Sequence, residues 1–254
     1  MLFVLSPAKR LDIDFNSKIE KYSRPDLIRH TAELIKLLKL YSPAQLGSLL
    51  RISDHLAALN AGRYATWSPQ ADLKNAKQAI FTYDGDVYRG LDAASLNDFQ
   101  VDYAQTHIRI LSGLYGILSP LDLIQPYRLE MGTKLPNSNG KDLYAFWDSA
   151  VTDAINRDLE RNNANVLINL ASDEYYRVIN TKRLHARVIA PVFQEMKNGK
   201  WKIIPVHAKR ARGLMARYAS VNGVTDAEQL KAFDTEDYAF EPAASGDNLW
   251  VFRR

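Results

Sequence analysis

Several short stretches of this chain place hydroxyl, carboxylate and cationic side chains directly after apolar runs. Leu2–Leu5 leads into Ser6-Pro7-Ala8-Lys9, and Ile108–Leu111 into Ser112-Gly113-Leu114-Tyr115-Gly116. Residues 166–170 lead into Ala171-Ser172-Asp173-Glu174-Tyr175, and 201–206 into the basic string HAKRARGLMARY at 207–218. Apolar runs of this length read as strands, and in open α/β sheets ligands bind in the crevice beyond the strands' carboxyl ends. With these strands as parallel neighbours, Ser6, Lys9, Ser112, Gly113, Tyr115, Ser172, Asp173, Tyr175 and Lys209 line one pocket, joined by Arg128. Such a site can transfer protons or hold a small polar ligand. In an enzyme of this kind Lys9, Arg128 and Lys209 hold an anion while Asp173 or Glu174 acts as acid or base, beside the Ser172 hydroxyl. The plainer alternative is that each Ser or Asp caps a following helix.

The second candidate is electrostatic. The net charge is +4, but seven Lys/Arg and no Asp or Glu stand between Lys197 and Tyr218, so the remaining chain sums to −3. A local positive field attracts polyanions, although a basic cluster is also often just a solvated face. Wound at 100° per residue, 208–218 sets Ala211, Leu214, Met215 and Tyr218 on an apolar face. Lys209, Arg210, Arg212 and Arg217 fall opposite, with Gly213 between Lys209 and Arg210. Glycine costs a helix about 1 kcal/mol against alanine. The expectation is therefore that Gly213 lets a phosphate reach the backbone. Lys9, Arg10, Lys200, Lys202, Lys209, Arg210, Arg212, Gly213 and Arg217 form the candidate DNA- or anion-binding set.

Other chemistries find no residues. The chain has no cysteine, which excludes disulfides, thiolate metal sites and cysteine nucleophiles. His30, His55, His107, His185 and His207 show no HxxxH or HExxH spacing, and the carboxylate pairs Asp12/Asp14 and Asp84/Asp86 would have to hold a metal unaided. No metal and no cofactor is expected, since Walker A and GxGxxG motifs are also absent. The GLYG at 113–116 has the outline of a phosphate-gripping GXXG loop, but its Leu-Tyr centre reads as packing. No run approaches the roughly 18 apolar residues of a membrane span, and the N-terminal apolar run precedes its cations rather than following them. A cytoplasmic location is expected.

The elements that must position these groups alternate in type. Helices are expected over 25–40, from the Ser42-Pro43 cap and N1 signal to about Ile52, and from Ser53 onward, giving a helical hairpin region at about 26–64. AIFTYDGDVYRGL (79–91) reads as extended chain around an Asp84-Gly85 turn. Residues 98–107 and 141–161 read as helices. RVIAPVFQE and KWKIIPVHA read as strands joined by an Asn198-Gly199 hairpin, and LWVFRR as a last strand. The fold class is α/β (α+β), a single domain over 1–254 with a mixed sheet surrounded by helices.

Beyond these physical readings, LSPAKRLD (5–12), FTYDGDVYRGL (81–91), LSGLYGILSPLDLIQPYRLEMG (111–132), KDLYAFW (141–147), INLASDEY (168–175) and AKRARGLMARY (208–218) together strongly resemble the YaaA family (UPF0246/DUF328). The motifs run in order along the whole chain. The resemblance implies a bacterial peroxide stress protein that limits free intracellular iron and Fenton damage. It also implies a fold particular to the family, and double-stranded DNA binding through a positively charged cleft and a helix-hairpin-helix-like element. Candidates for that element are the helices within 43–64 and the SGLYG turn. A monomeric binding protein with DNA as partner and no membrane contact is expected rather than an enzyme. The alternative is an enzyme acting on a nucleoside- or nucleotide-like small polar substrate in the strand-end pocket.

Overall fold

The run Leu2–Leu5 (β1) is fully buried on both faces, as an all-apolar strand must be when both sides of its sheet are covered. It pairs in parallel with Ile108–Ser112 (β5) on one side and Val166–Leu170 (β8) on the other. Beyond β8 lie Arg187–Lys197 (β9) and Leu249–Arg253 (β12), also parallel, and the edges are closed by antiparallel Gly116–Leu118 (β6) and Ala239–Phe240 (β11). The order is β11-β12-β9-β8-β1-β5-β6, with Lys200–Lys202 (β10) hairpinned onto β9. This eight-stranded mixed sheet is the centre of the α/β fold. Two small ribbons flank it: Arg10–Leu11 (β2) with Tyr83–Asp84 (β4), and Lys77–Gln78 (β3) with Leu123–Ile124 (β7). The structure, a computed structural model, describes residues 1–15 and 17–254.

Helices cover the sheet. Ile28–Leu38 (α1), Pro43–Leu50 (α2) and Asp54–Thr66 (α3) form the expected helical region, with Ser42 and Gln45 making a reciprocal capping box. Ser53 precedes α3 without a side-chain cap bond. Ala79–Thr82 (α4), Asp86–Leu91 (α5) and Asp98–His107 (α6) follow. The expected helix over 141–161 is broken into Leu143–Trp147 (α7) and Ala150–Arg161 (α8), with Asp148 at φ +32° between them. The short Asp173–Tyr176 (α9) follows β8, and Pro205–Asn222 (α10) runs from Pro at N1 to Gly223 in the left-handed conformation.

Two expectations fail for the same reason. Residues 79–91, read as extended, are mostly helical, and the strand expected over 201–206 ends at Lys202, where Pro205 starts α10. Local pattern loses to tertiary packing here, because α5 and α10 are clamped together backbone to backbone. A Cβ on Gly213 would lie 1.7 Å from the Val87 carbonyl oxygen, and one on Gly90 would lie 2.3 Å from that of Arg210. Gly213 is therefore buried in a helix crossing and not held open for phosphate. Its neighbours on that side, Ala216 and Ser220, are buried as well, so α10 is covered on two faces.

Gly213→Ala should consequently destabilise the protein by about 3 kcal/mol or more, as overpacking against backbone does. The melting temperature should fall by about 6 to 12 °C for a chain of this size. Gly62, in α3 with nothing within 4 Å of its would-be Cβ, is the control: Gly62→Ala should stabilise by up to about 1 kcal/mol. Thermal denaturation of the two variants checks both signs.

Candidate functional site

The chain leaves β1 for β5 on one side, then crosses to β8 on the other, so the carboxyl ends of these three strands form a topological switch point. A cleft of about 370 Å³ opens there. Ser6 at the end of β1 and Ser172 at the end of β8 lock its base together. Ser172 N donates to Ser6 Oγ at 2.9 Å, and Ser6 Oγ donates to Ser172 Oγ at 3.2 Å. Ser172 does sit at the N-cap of α9, but its side chain makes no cap bond and serves the cleft instead. The Ser6 carbonyl accepts from Tyr88 Oη at 3.0 Å, which ties α5 to the same point.

One wall is residues 127–130, seated on the β5–β6 hairpin. A Cβ on Gly113 would lie 2.2 Å from the Leu129 carbonyl oxygen, so that close approach requires glycine. Beneath this wall, hydroxyls form a buried chain. Tyr127 Oη is 2.7 Å from both Tyr83 Oη and Ser112 Oγ, and Ser112 Oγ accepts from Tyr115 N at 3.0 Å. Burial pushes the Tyr127 phenol up to about 12 and likewise raises Tyr83 and Tyr88 well above the usual phenol range. These phenols stay protonated at any ordinary pH and act as hydrogen-bonding groups, not as bases.

The opposite wall is α10, which brings Lys209 and Arg212 into the lining. Lys9 enters from the loop after β1 and Arg10 from β2, and Asp84, Asp86, Glu130 and Glu174 supply the negative charge. Most of these charges are already engaged. Glu130 takes Lys9 at 2.9 Å and Arg128 at 3.1 Å, and Asp84 takes Arg10 at 2.9 Å and Arg89 at 3.2 Å. Glu174 Oε1 accepts from Gly132 N at 3.0 Å. Lys209 and Arg212, by contrast, make no hydrogen bond or ion pair among the described residues, and the buried Arg128 Nε has no acceptor. Burial lowers the Arg212 pKa, with Asp173 partly opposing it through its charge.

Of the residues expected to share a pocket, the structure brings together Ser6, Lys9, Arg128, Ser172, Tyr175 and Lys209, along with Glu174. Ser112, Gly113 and Tyr115 are buried under the cleft and do not line it, because the strand-end turn folds back as the β5–β6 hairpin. The same burial removes SGLYG as a helix-hairpin-helix-like element. Asp173 is exposed and outside the lining, since it starts α9 and the helical turn carries Glu174 and Tyr175 inward. Two cations of the anion-binding set are structural. Arg210 pairs with Glu236 at 2.7 Å, and Arg217 donates to the Leu91 and Asp92 carbonyls at 3.1 and 2.9 Å, closing the end of α5.

Sequence reasoning missed Tyr88, Tyr127 and Glu130 as lining residues. Their signal was the polar content of DGDVY and PYRLE, segments with no periodicity to say which way they face. The carboxylate pairs have other partners: Asp12 Oδ1 accepts from the amides of Asp14 and Phe15, and Asp84 and Asp86 both face Arg89. Among the described residues no group of three or more His, Asp or Glu side chains could hold a metal ion.

Fold and site define a mixed α/β protein with a charged cleft at the strand ends of a central parallel core. A family profile described as "Peroxide stress protein YaaA" matches residues 1–244. Full-length relatives are the UPF0246 proteins of Janthinobacterium sp. (58% identical over all of this chain and 98% of that one) and Ralstonia pickettii (57%, over all of this chain and 99% of that one). The UPF0246 protein of Chromobacterium violaceum is 53% identical over all of this chain and 99% of its own. The chain therefore belongs to the YaaA family of peroxide stress proteins. No helix among the described residues is long and apolar enough to cross a membrane.

Tyr127→Phe tests the buried layer under the cleft. It should strand the Tyr83 hydroxyl, leave Ser112 Oγ with only the Tyr115 amide, and cost about 2 kcal/mol, the range for an unsatisfied buried polar group. A melting temperature lower by about 4 to 8 °C would register it.

Proposed function

We propose that this protein serves in peroxide defence by holding double-stranded DNA along the basic ridge of β10 and the first turns of α10, across the mouth of the cleft. What supports the reading is the sorting of the cations. Lys9, Arg10, Arg210 and Arg217 are neutralised by carboxylates or backbone carbonyls. Lys200, Lys202, Lys209 and Arg212 are left without a partner among the described residues, on two consecutive elements. Unpaired cations release condensed counterions from a phosphate backbone, which is where most of the free energy of such binding arises. The helices within 43–64 remain the candidate for a helix-hairpin-helix-like second contact. The limit on free iron that the family resemblance implies belongs to the same proposal, as does a cytoplasmic location beside the chromosome.

With four phosphates contacted, log K against log salt for a duplex should slope at about −3.6. Lys200→Glu with Lys202→Glu should bring that slope down by about 2 and weaken binding about tenfold or more, read by fluorescence anisotropy. Duplex affinity that responds neither to salt nor to this charge reversal overturns the reading. Iron visible by electron paramagnetic resonance in peroxide-challenged cells, with and without the protein, tests the iron limit.

A further inference from the structure

The cleft itself asks for something smaller than a duplex. Its volume of about 370 Å³ lies near the lower end for small-ligand sites, which span about 300 to 1,000 Å³. The charges around it do not cancel locally. Glu130 is saturated by Lys9 and Arg128, and Asp84 by Arg10 and Arg89. Among the described residues Lys209 and Arg212 stay unpaired, and Arg128 Nε is buried with no acceptor. A desolvated guanidinium and a buried, unmatched guanidinium N–H are both costly unless an anion completes them. Two unpaired cations match a dianion, and a phosphate monoester carries about −1.5 to −2 at pH 7 with an oxygen geometry suited to Arg.

The rest of the lining says what the phosphate is attached to. Tyr88, Tyr127 and Tyr175 are all nearly buried. The hydroxyls of Tyr88 and Tyr127 are committed to Ser6, Tyr83 and Ser112, so these residues present ring carbon to the cleft. Aromatic carbon suits a planar base. Glu174, whose Oε2 has no hydrogen bond among the described residues, and the Ser172 hydroxyl both line the cleft and give acceptors for ribose hydroxyls. We infer that the cleft is a binding site for a nucleoside monophosphate, its phosphate on Arg128, Arg212 and Lys209 and its base against the tyrosines. This goes beyond duplex binding, with which it shares only Lys209 and Arg212.

The test is calorimetric titration and thermal shift of the full chain with AMP, GMP, CMP and UMP, with ribose 5-phosphate, inorganic phosphate and adenosine as comparison arms. At least one mononucleotide should bind saturably and raise the melting temperature with concentration. Adenosine, ribose 5-phosphate and inorganic phosphate should each bind at least about tenfold more weakly, since each lacks one charge-assisted or stacking contact. Arg128→Met should weaken the mononucleotide at least about tenfold while leaving duplex affinity unchanged. Should loss of Arg128 unfold the 127–130 wall, Arg212→Met should weaken the mononucleotide at least about tenfold in its place, with the duplex losing only one of its four phosphate contacts. The Lys200→Glu, Lys202→Glu variant should lose duplex and keep mononucleotide, so either idea can fail alone. No saturable mononucleotide binding up to millimolar concentration, binding indifferent to both arginine variants, or inorganic or ribose phosphate binding as tightly as the nucleotide each overturns the inference.

Discussion

The contact on which the site depends is the crossing of α5 and α10. Their backbones approach until Gly213 meets the Val87 carbonyl and Gly90 meets that of Arg210. No side chain larger than hydrogen fits at either point. This crossing fixes the roll of α10 about its axis, which sends Lys209 and Arg212 into the cleft. It also places Val87 and Tyr88 opposite them, and the Tyr88 hydroxyl anchors α5 to the end of β1. Arg217 then fastens the far end by donating to the last carbonyls of α5. The geometry of the cationic wall thus follows from two missing methyl groups.

A second constraint comes from desolvation. Charges that become partly buried on folding must find partners, and the structure meets that requirement for most of them. The network around Glu195 shows how: it holds His207 at 2.7 Å and Arg254 at 2.9 Å, while Glu236 joins Arg254 to Arg210. Within the sheet, Arg109 is buried and satisfied by Asp158 at 2.6 Å and by the carbonyls of Gln105 and Ile108. Against that background, unmatched cations at a cleft are informative, because leaving them so is unfavourable without a ligand.

The layer below the cleft explains its rigidity. Ser6 and Ser172 bridge adjacent strand ends, and the Tyr83–Tyr127–Ser112 chain braces the 127–130 wall from behind. Groups placed by such a layer need little reordering when an anion arrives, so less of the binding free energy is lost to side-chain entropy.

Much of the architecture was legible in the residues themselves. Leu2–Leu5 and 166–170 are apolar runs too short for buried helices, and they are the parallel core strands. Asn198-Gly199 makes its hairpin, with both residues at positive φ. The strand-end rule expected Ser6, Lys9, Ser172 and Glu174 in one pocket, and the structure lines the cleft with them; Arg128 and Lys209 line it too, from the 127–130 wall and from within α10 rather than from a strand end. Which strand-end hydroxyls face the cleft was not legible, because Ser112 and Tyr115 turn inward only through the β5–β6 pairing. Nor was the task of Gly213. A helical wheel records angular position and nothing about what lies beyond it, so a glycine among cations looks the same whether it faces phosphate or another backbone. The chain's own periodicities determined the core strands and most of the helices, though not the helical turns within 79–91 or the start of α10. Only the tertiary structure decided which cations are spent on carboxylates and carbonyls and which are left for a ligand, since pairing depends on neighbours tens to more than a hundred residues away.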